Sequence, residues 1–191
     1  PLTELITGIL FVLVNYGSSN IYELLPKTYF VFLSWLIISI SIPLFIFDLK
    51  FYWIPKSIVL FGSFSGLFFI CIYSIVFKNY IFINHILAAI IGFSTLYFLN
   101  FMGKIFYHKN VIGSGDMHLM FMFGIWLGLK NIILSIYLSF IFSGLVCCFL
   151  ILLKKLKRVQ IIPFAPFLLI SSLSIWFLGN QFFLDIYKKF I

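Results

Sequence analysis

Two aspartates carry the chemistry this sequence offers. Asp116 lies in Gly113-Ser114-Gly115-Asp116-Met117-His118-Leu119, at the doorway of an apolar run, and Asp48 closes an earlier one in Phe47-Asp48-Leu49-Lys50. An ionisable group is costly in a bilayer and marks a functional site there. Two carboxylates sharing one proton can cut a peptide bond. One takes a proton from water while the other, protonated, donates to the carbonyl oxygen, and like charges so close do not both ionise. The chain has five acids. Glu23 and Asp185 fall on the opposite face and Glu4 at the extreme start, which leaves Asp48 and Asp116, 116 − 48 = 68 residues apart. That interval holds two hydrophobic helices, enough to return the chain to the same side. Taken alone, Gly-x-Gly-Asp also reads as an ordinary glycine turn capped by Asp at a helix start.

The elements that must position this pair are apolar. Of 191 residues, 63% are hydrophobic, 21% aromatic and 9% charged, with mean hydropathy +1.19. Soluble domains carry about a quarter charged residues, so a water-soluble fold is excluded. The fold class expected is all-α, a polytopic transmembrane helical bundle. The net charge of +8 does not indicate nucleic acid, because the basic residues stand scattered at segment ends. They serve as interfacial anchors and topology signals. Cys71, Cys147 and Cys148 lie in apolar runs without C-x-x-C spacing and read as buried small hydrophobes. No metal site is expected, and His85, His108 and His118 show no metal spacing.

A bilayer core of about 30 Å needs about 20 apolar residues. That length picks out seven candidate spans, at about 2–16, 28–47, 57–77, 81–101, 116–129, 132–153 and 164–178, in one domain over 1–191. Alternating sides place Lys50, Lys56, Lys104, Lys109, Lys154, Lys155, Lys157 and Arg158 on one face. Lys27, Lys78, Lys130, Lys188 and Lys189 fall on the other. The positive-inside rule assigns the richer face, with both aspartates, to the cytoplasm. The 14 residues from Asp116 to Leu129 make about 21 Å of helix at about 1.5 Å per residue. With Lys130 held at the far interface, Asp116 would lie below the cytoplasmic surface, facing protein or water.

Gly113 and Gly115 lack Cβ, so the backbone there is free to take positive φ or admit a second chain closely. Ile162-Pro163-Phe164-Ala165-Pro166-Phe167 interrupts helix geometry at the start of the last span. Broken backbone at membrane depth belongs against protein or a wet cavity, so this segment either borders the active cavity, as expected here, or is a plain proline-rich helix start. Gly62-x-x-x-Gly66 and Gly124-x-x-x-Gly128 permit close helix contact. His118, two residues past Asp116, is placed to tune its surroundings, and the phenylalanines read as lipid-facing bulk.

Taken together, these residues make the chain one that resembles the type IV prepilin peptidases, a branch of the Gly-x-Gly-Asp intramembrane aspartyl proteases. Pro1-Leu2-Thr3-Glu4-Leu5-Ile6-Thr7-Gly8 is similar to the family's Pro-x-x-Glu-x-x-Thr-Gly. Phe47-Asp48-Leu49 with Ile54-Pro55, and Gly113 to Leu119 with Trp126-Leu127-Gly128, resemble the two catalytic regions. Ile162 to Phe167 resembles Ile-Pro-Phe-Gly-Pro-Phe. Departures are Lys56, where Asn or Asp is usual, His118 for Lys, and Ala165 for Gly.

The resemblance implies Asp48 and Asp116 as catalytic pair, with Glu4, Pro55, Gly113, Gly115, Pro163 and Pro166 in support. It implies a prepilin or pseudopilin substrate, cleaved after a glycine on the inner side of the bacterial cytoplasmic membrane, and no cofactor for that step. Larger members carry a preceding helix and a four-cysteine zinc segment upstream of the Pro-x-x-Glu motif. They also methylate the new N-terminus from S-adenosylmethionine. A chain starting at Pro1 is therefore expected to be the C-terminal part of a longer enzyme. A presenilin-like or signal-peptide-peptidase-like protease shares the aspartate logic but lacks the proline motif. A small channel or transporter would place its acids nearer the midplane.

Overall fold

A computed structural model describes residues 2–17, 27–77, 81–153 and 163–190. Pro1, Glu23, Lys78, Ile162 and the basic cluster Lys154 to Arg158 lie outside the described residues. The described chain forms seven helices: α1 (Leu2–Gly17), α2 (Lys27–Phe51), α3 (Lys56–Phe77), α4 (Ile81–Tyr107), α5 (Ser114–Leu127), α6 (Leu129–Leu152) and α7 (Ala165–Phe190). Each expected span has its helix, and the described residues contain no strand.

Four helical stretches are long and apolar enough to cross a bilayer: Tyr29–Phe51, Lys56–Val76, Phe82–Phe106 and Leu129–Leu152. This is a multi-pass membrane protein. The other three helices fall short of that length. α1 has 16 residues and α5 has 14, and α7 breaks at Gly179 (φ 72°, ψ 164°), leaving the shorter apolar limb Ala165–Gly179.

The short α5 is the axis of the bundle. Ten of its 14 residues are buried, and a helix apolar on every side belongs inside a protein rather than on its surface. It packs on α3, α4, α6 and α7. Small residues on its neighbours make room. On α3, Gly62 lies under Met122 and Gly66 under Trp126, whose indole N–H donates to the Gly62 carbonyl at 2.9 Å. On the α4 side, Gly124 of α5 abuts the backbone of Ala88 and Ala89. Both Gly-x-x-x-Gly pairs thus contribute to helix packing.

Gly128 ends α5 and starts α6 at φ 77°, a left-handed conformation that disfavours other residues. Its N–H donates to Gly124 and its carbonyl accepts from Ile132. Hydrogen bonds within the core tie α6 and α2 to α7. Ser135 pairs with Ser172 at 2.8 Å, and the Trp176 N–H donates to Ser34 at 2.9 Å. Such pairs join helices where water is absent.

Phenylalanines 61, 64, 68, 98, 101, 106 and 149 point outward, as lipid-facing bulk, whereas Phe30 and Phe123 are buried. The cysteines depart from expectation: Cys71 and Cys148 are exposed and Cys147 is intermediate. An apolar sequence neighbourhood does not require protein burial here, because lipid supplies the same surroundings.

Gly124→Val is expected to lower the midpoint of thermal unfolding in detergent by several degrees, since overpacking costs about 1–3 kcal/mol. Gly144→Ala, where nothing stands within 4 Å, should leave the midpoint unchanged or raise it slightly.

Candidate active site

The first wall of the site is the end of α2. Asp48 sits in its last turn and is 6% exposed. The helix closes on Tyr52, whose N–H donates to the Asp48 carbonyl at 3.0 Å while its φ of 53° reverses the chain. A bulky residue in that region carries strain. Trp53 is exposed, and Ile54 and Pro55 are buried. The Pro55 carbonyl then accepts from Ile58 and Val59 and starts α3.

The second wall is the segment leading from α4 into α5. His108, at φ 52°, ends α4 by donating to the Lys104 carbonyl. Asn100 fastens the approach to α5: its Oδ1 accepts from the N–H groups of Val111 at 2.9 Å and Ile112 at 3.1 Å. Gly113 is the N-cap of α5 in an extended conformation (φ −66°, ψ 145°). Its backbone N–H faces the Asp116 carboxylate across the first turn. Asp116 is 8% exposed.

The two glycines serve close approach and not positive φ, which neither adopts. A Cβ on Gly115 would stand 2.9 Å from the Ile54 Cβ, and one on Gly113 would stand 3.3 Å from Asp116 Oδ2. Gly115 therefore lets the two walls meet.

Between the walls lies a cavity of about 160 Å³ lined by both Asp48 and Asp116, with Tyr52, Trp53, Ile54, Lys56, Gly113, Ser114 and Gly115. Both carboxylates thus border the same small space. A third element reaches the pair. The backbone N–H of Ala165, first residue of α7, faces the Asp48 carboxylate. First-turn N–H groups have no partner within their own helix. Here Pro166 has none to offer, and those of Phe167 and Leu168 turn back to the Phe164 carbonyl. Ala165 is thus free to donate, at the positive end of α7. Asp48 Oδ2 is buried with no hydrogen-bond partner, and such orphaned acceptors are associated with chemistry.

The expected supporting residues divide. Pro55 shapes the turn between α2 and α3. Pro166 is buried in the first turn of α7, and the proline segment meets the site through Ala165. Pro163 lines a different, apolar cavity of about 460 Å³ with Val111, Ile112 and Phe164. Glu4 does not line the cavity. It is exposed in the first turn of α1, its backbone carbonyl accepting from the Thr7 hydroxyl at 2.7 Å. His118 bonds the Ser114 carbonyl through Nδ1 at 2.6 Å and meets Phe93 edge-on, so it braces the first turn of α5. Among the described residues no three His, Cys, Asp or Glu side chains group as metal ligands. Asn100 and the Ala165 N–H were not expected. An amide in an apolar run was available as a signal for Asn100, but a backbone donor has none.

The type IV leader peptidase family matches residues 30–149, from α2 into α6 and across both aspartates. The chain belongs to that family. It is 26% identical over 189 residues to a prepilin leader peptidase/N-methyltransferase of Aeromonas hydrophila, covering 94% of this chain and 61% of that one. A protein of the same description from Pseudomonas putida is 26% identical over 180 residues, 90% of this chain and 56% of the relative. One from Xanthomonas campestris pv. campestris is 30% identical over 105 residues, 55% and 36% of the two chains. The chain thus spans less than two thirds of the length of these relatives. No solved structure matches it.

Replacing Asn100 with Leu should leave the Val111 and Ile112 amides unpaired. Their hydrogen exchange is expected to rise about tenfold, the equivalent of about 1–1.5 kcal/mol, with α5 itself still protected. Unchanged exchange would mean that the segment is held by other contacts.

Proposed function

We propose that this chain is an aspartyl endopeptidase of the cytoplasmic membrane that removes leader peptides from type IV prepilins or pseudopilins. Asp48 and Asp116 act as its catalytic pair. The observation that carries the reading is the single small cavity lined by both buried carboxylates. One carboxylate takes a proton from water and the other donates to the scissile carbonyl oxygen. The N–H groups of Ala165 and Gly113 face the two side chains and offset part of their negative charge. The apolar helix after the cleavage point stays in the bilayer against the enzyme. Lys50 and Lys56 flank the turn that follows Asp48, which favours a cytoplasmic mouth.

Methyl transfer belongs, on this reading, to the longer proteins. Two larger cavities, of about 460 and 480 Å³, have no carboxylate among their lining residues, so neither offers the ammonium of S-adenosylmethionine a counter-charge.

Purified protein mixed with a prepilin bearing its leader should cut it. Asp48→Asn and Asp116→Asn should each lower the rate by at least about 100-fold while the unfolding midpoint stays put. Full activity in either variant would falsify the pair. Aspartate-dependent ion flux without cleavage would turn the reading to a channel.

A further inference from the structure

Lys56 is the first residue of α3 and lines the cavity of Asp48 and Asp116. Its position is set from both sides, by Ile54 seated against Gly115 and by Pro55, whose carbonyl starts α3. It is exposed, as expected of an ammonium at the mouth and not in the floor. Among the lining residues the other ionisable side chains are Asp48, Asp116 and Tyr52, so Lys56 is the cation of the cavity. Water attack at the dyad does not use it.

Peptide hydrolysis creates charge at that spot. The water oxygen bonds to the acyl carbon, the C–N bond breaks, and the nitrogen takes a proton. The new acid then ionises and its proton passes to the amine, leaving a carboxylate on one fragment and an ammonium on the other. The carboxylate arises beside a dyad that already holds negative charge, and like charges in a poorly solvated site repel. A cation fixed at the mouth offsets that repulsion for the carboxylate fragment alone.

We propose that Lys56 is a product-binding residue whose ammonium pairs with the new C-terminal carboxylate of the cleaved leader and slows its departure. The inference rests on the peptidase reading.

The test uses the purified full chain and a synthetic leader peptide ending at the cleavage point, supplied either as the free acid or as the carboxamide. Both are assayed as inhibitors of prepilin cleavage. The acid is expected to inhibit more tightly than the amide by roughly two- to fivefold, the range of a solvent-accessible ion pair. Lys56→Gln should erase that difference, Lys56→Arg should keep it, and Lys56→Glu should reverse it. An acid-to-amide ratio unchanged in Lys56→Gln overturns the proposal. So does a Lys56 effect that tracks only the anionic lipid content of the vesicles, which would make the residue a headgroup anchor. Failure of the unmodified protein to cut any prepilin removes the peptidase reading first, and this inference with it.

Discussion

A carboxylate inside a membrane bundle has to be solvated by the protein that holds it, and this requirement organises the molecule. Asp48 and Asp116 are both buried, and each is met by one backbone N–H. Gly113, the N-cap of α5, serves Asp116, and Ala165 at the start of α7 serves Asp48. Helix starts supply such donors because their first N–H groups lack partners within the helix. A pair flanked by backbone dipoles suits the sharing of one proton proposed for it. A pair locked to an adjacent lysine would favour the doubly ionised state and lose that sharing.

Bringing two helix starts and one helix end to a single point demands close packing at the centre. α5 is short enough to be enclosed on every side, and glycines on it and around it bring the backbones together. Gly124 against Ala88–Ala89, Gly62 under Met122 and Gly66 under Trp126 set the depth at which α5 rides. Gly115 against Ile54 then sets the distance between the two walls of the cavity. The same kind of residue therefore fixes the scaffold and the site. Where α5 must stop, Gly128 alone makes the turn into α6.

The cavity mouth has a different character. Tyr52, Trp53 and Lys56 are exposed, and aromatic and basic residues are at home where hydrocarbon gives way to water. An extended peptide approaching from the aqueous side would meet these groups before the carboxylates. The deep part of the site suits the reaction, and the rim suits recognition and release of charged fragments.

Much of this was legible in the sequence. With five acids in 191 residues and a high energetic cost for each in a bilayer, Asp48 and Asp116 stood out without coordinates. The hydropathy pattern located the seven described helices, because contact with lipid and enclosure within the bundle both demand continuous apolar runs. Glu4, named in support only by the resemblance, lies outside the cavity lining, and residue type misled at the cysteines, whose apolar surroundings are not protein. The glycines of Gly-Ser-Gly-Asp were read for room and for positive φ, and only the room is used. Tertiary structure alone decided the partnership between distant backbone groups. The Ala165 N–H on Asp48 and the Asn100 clasp on residues 111 and 112 join positions far apart in the chain. A backbone donor looks the same at every residue, and its direction exists only once the helices have packed.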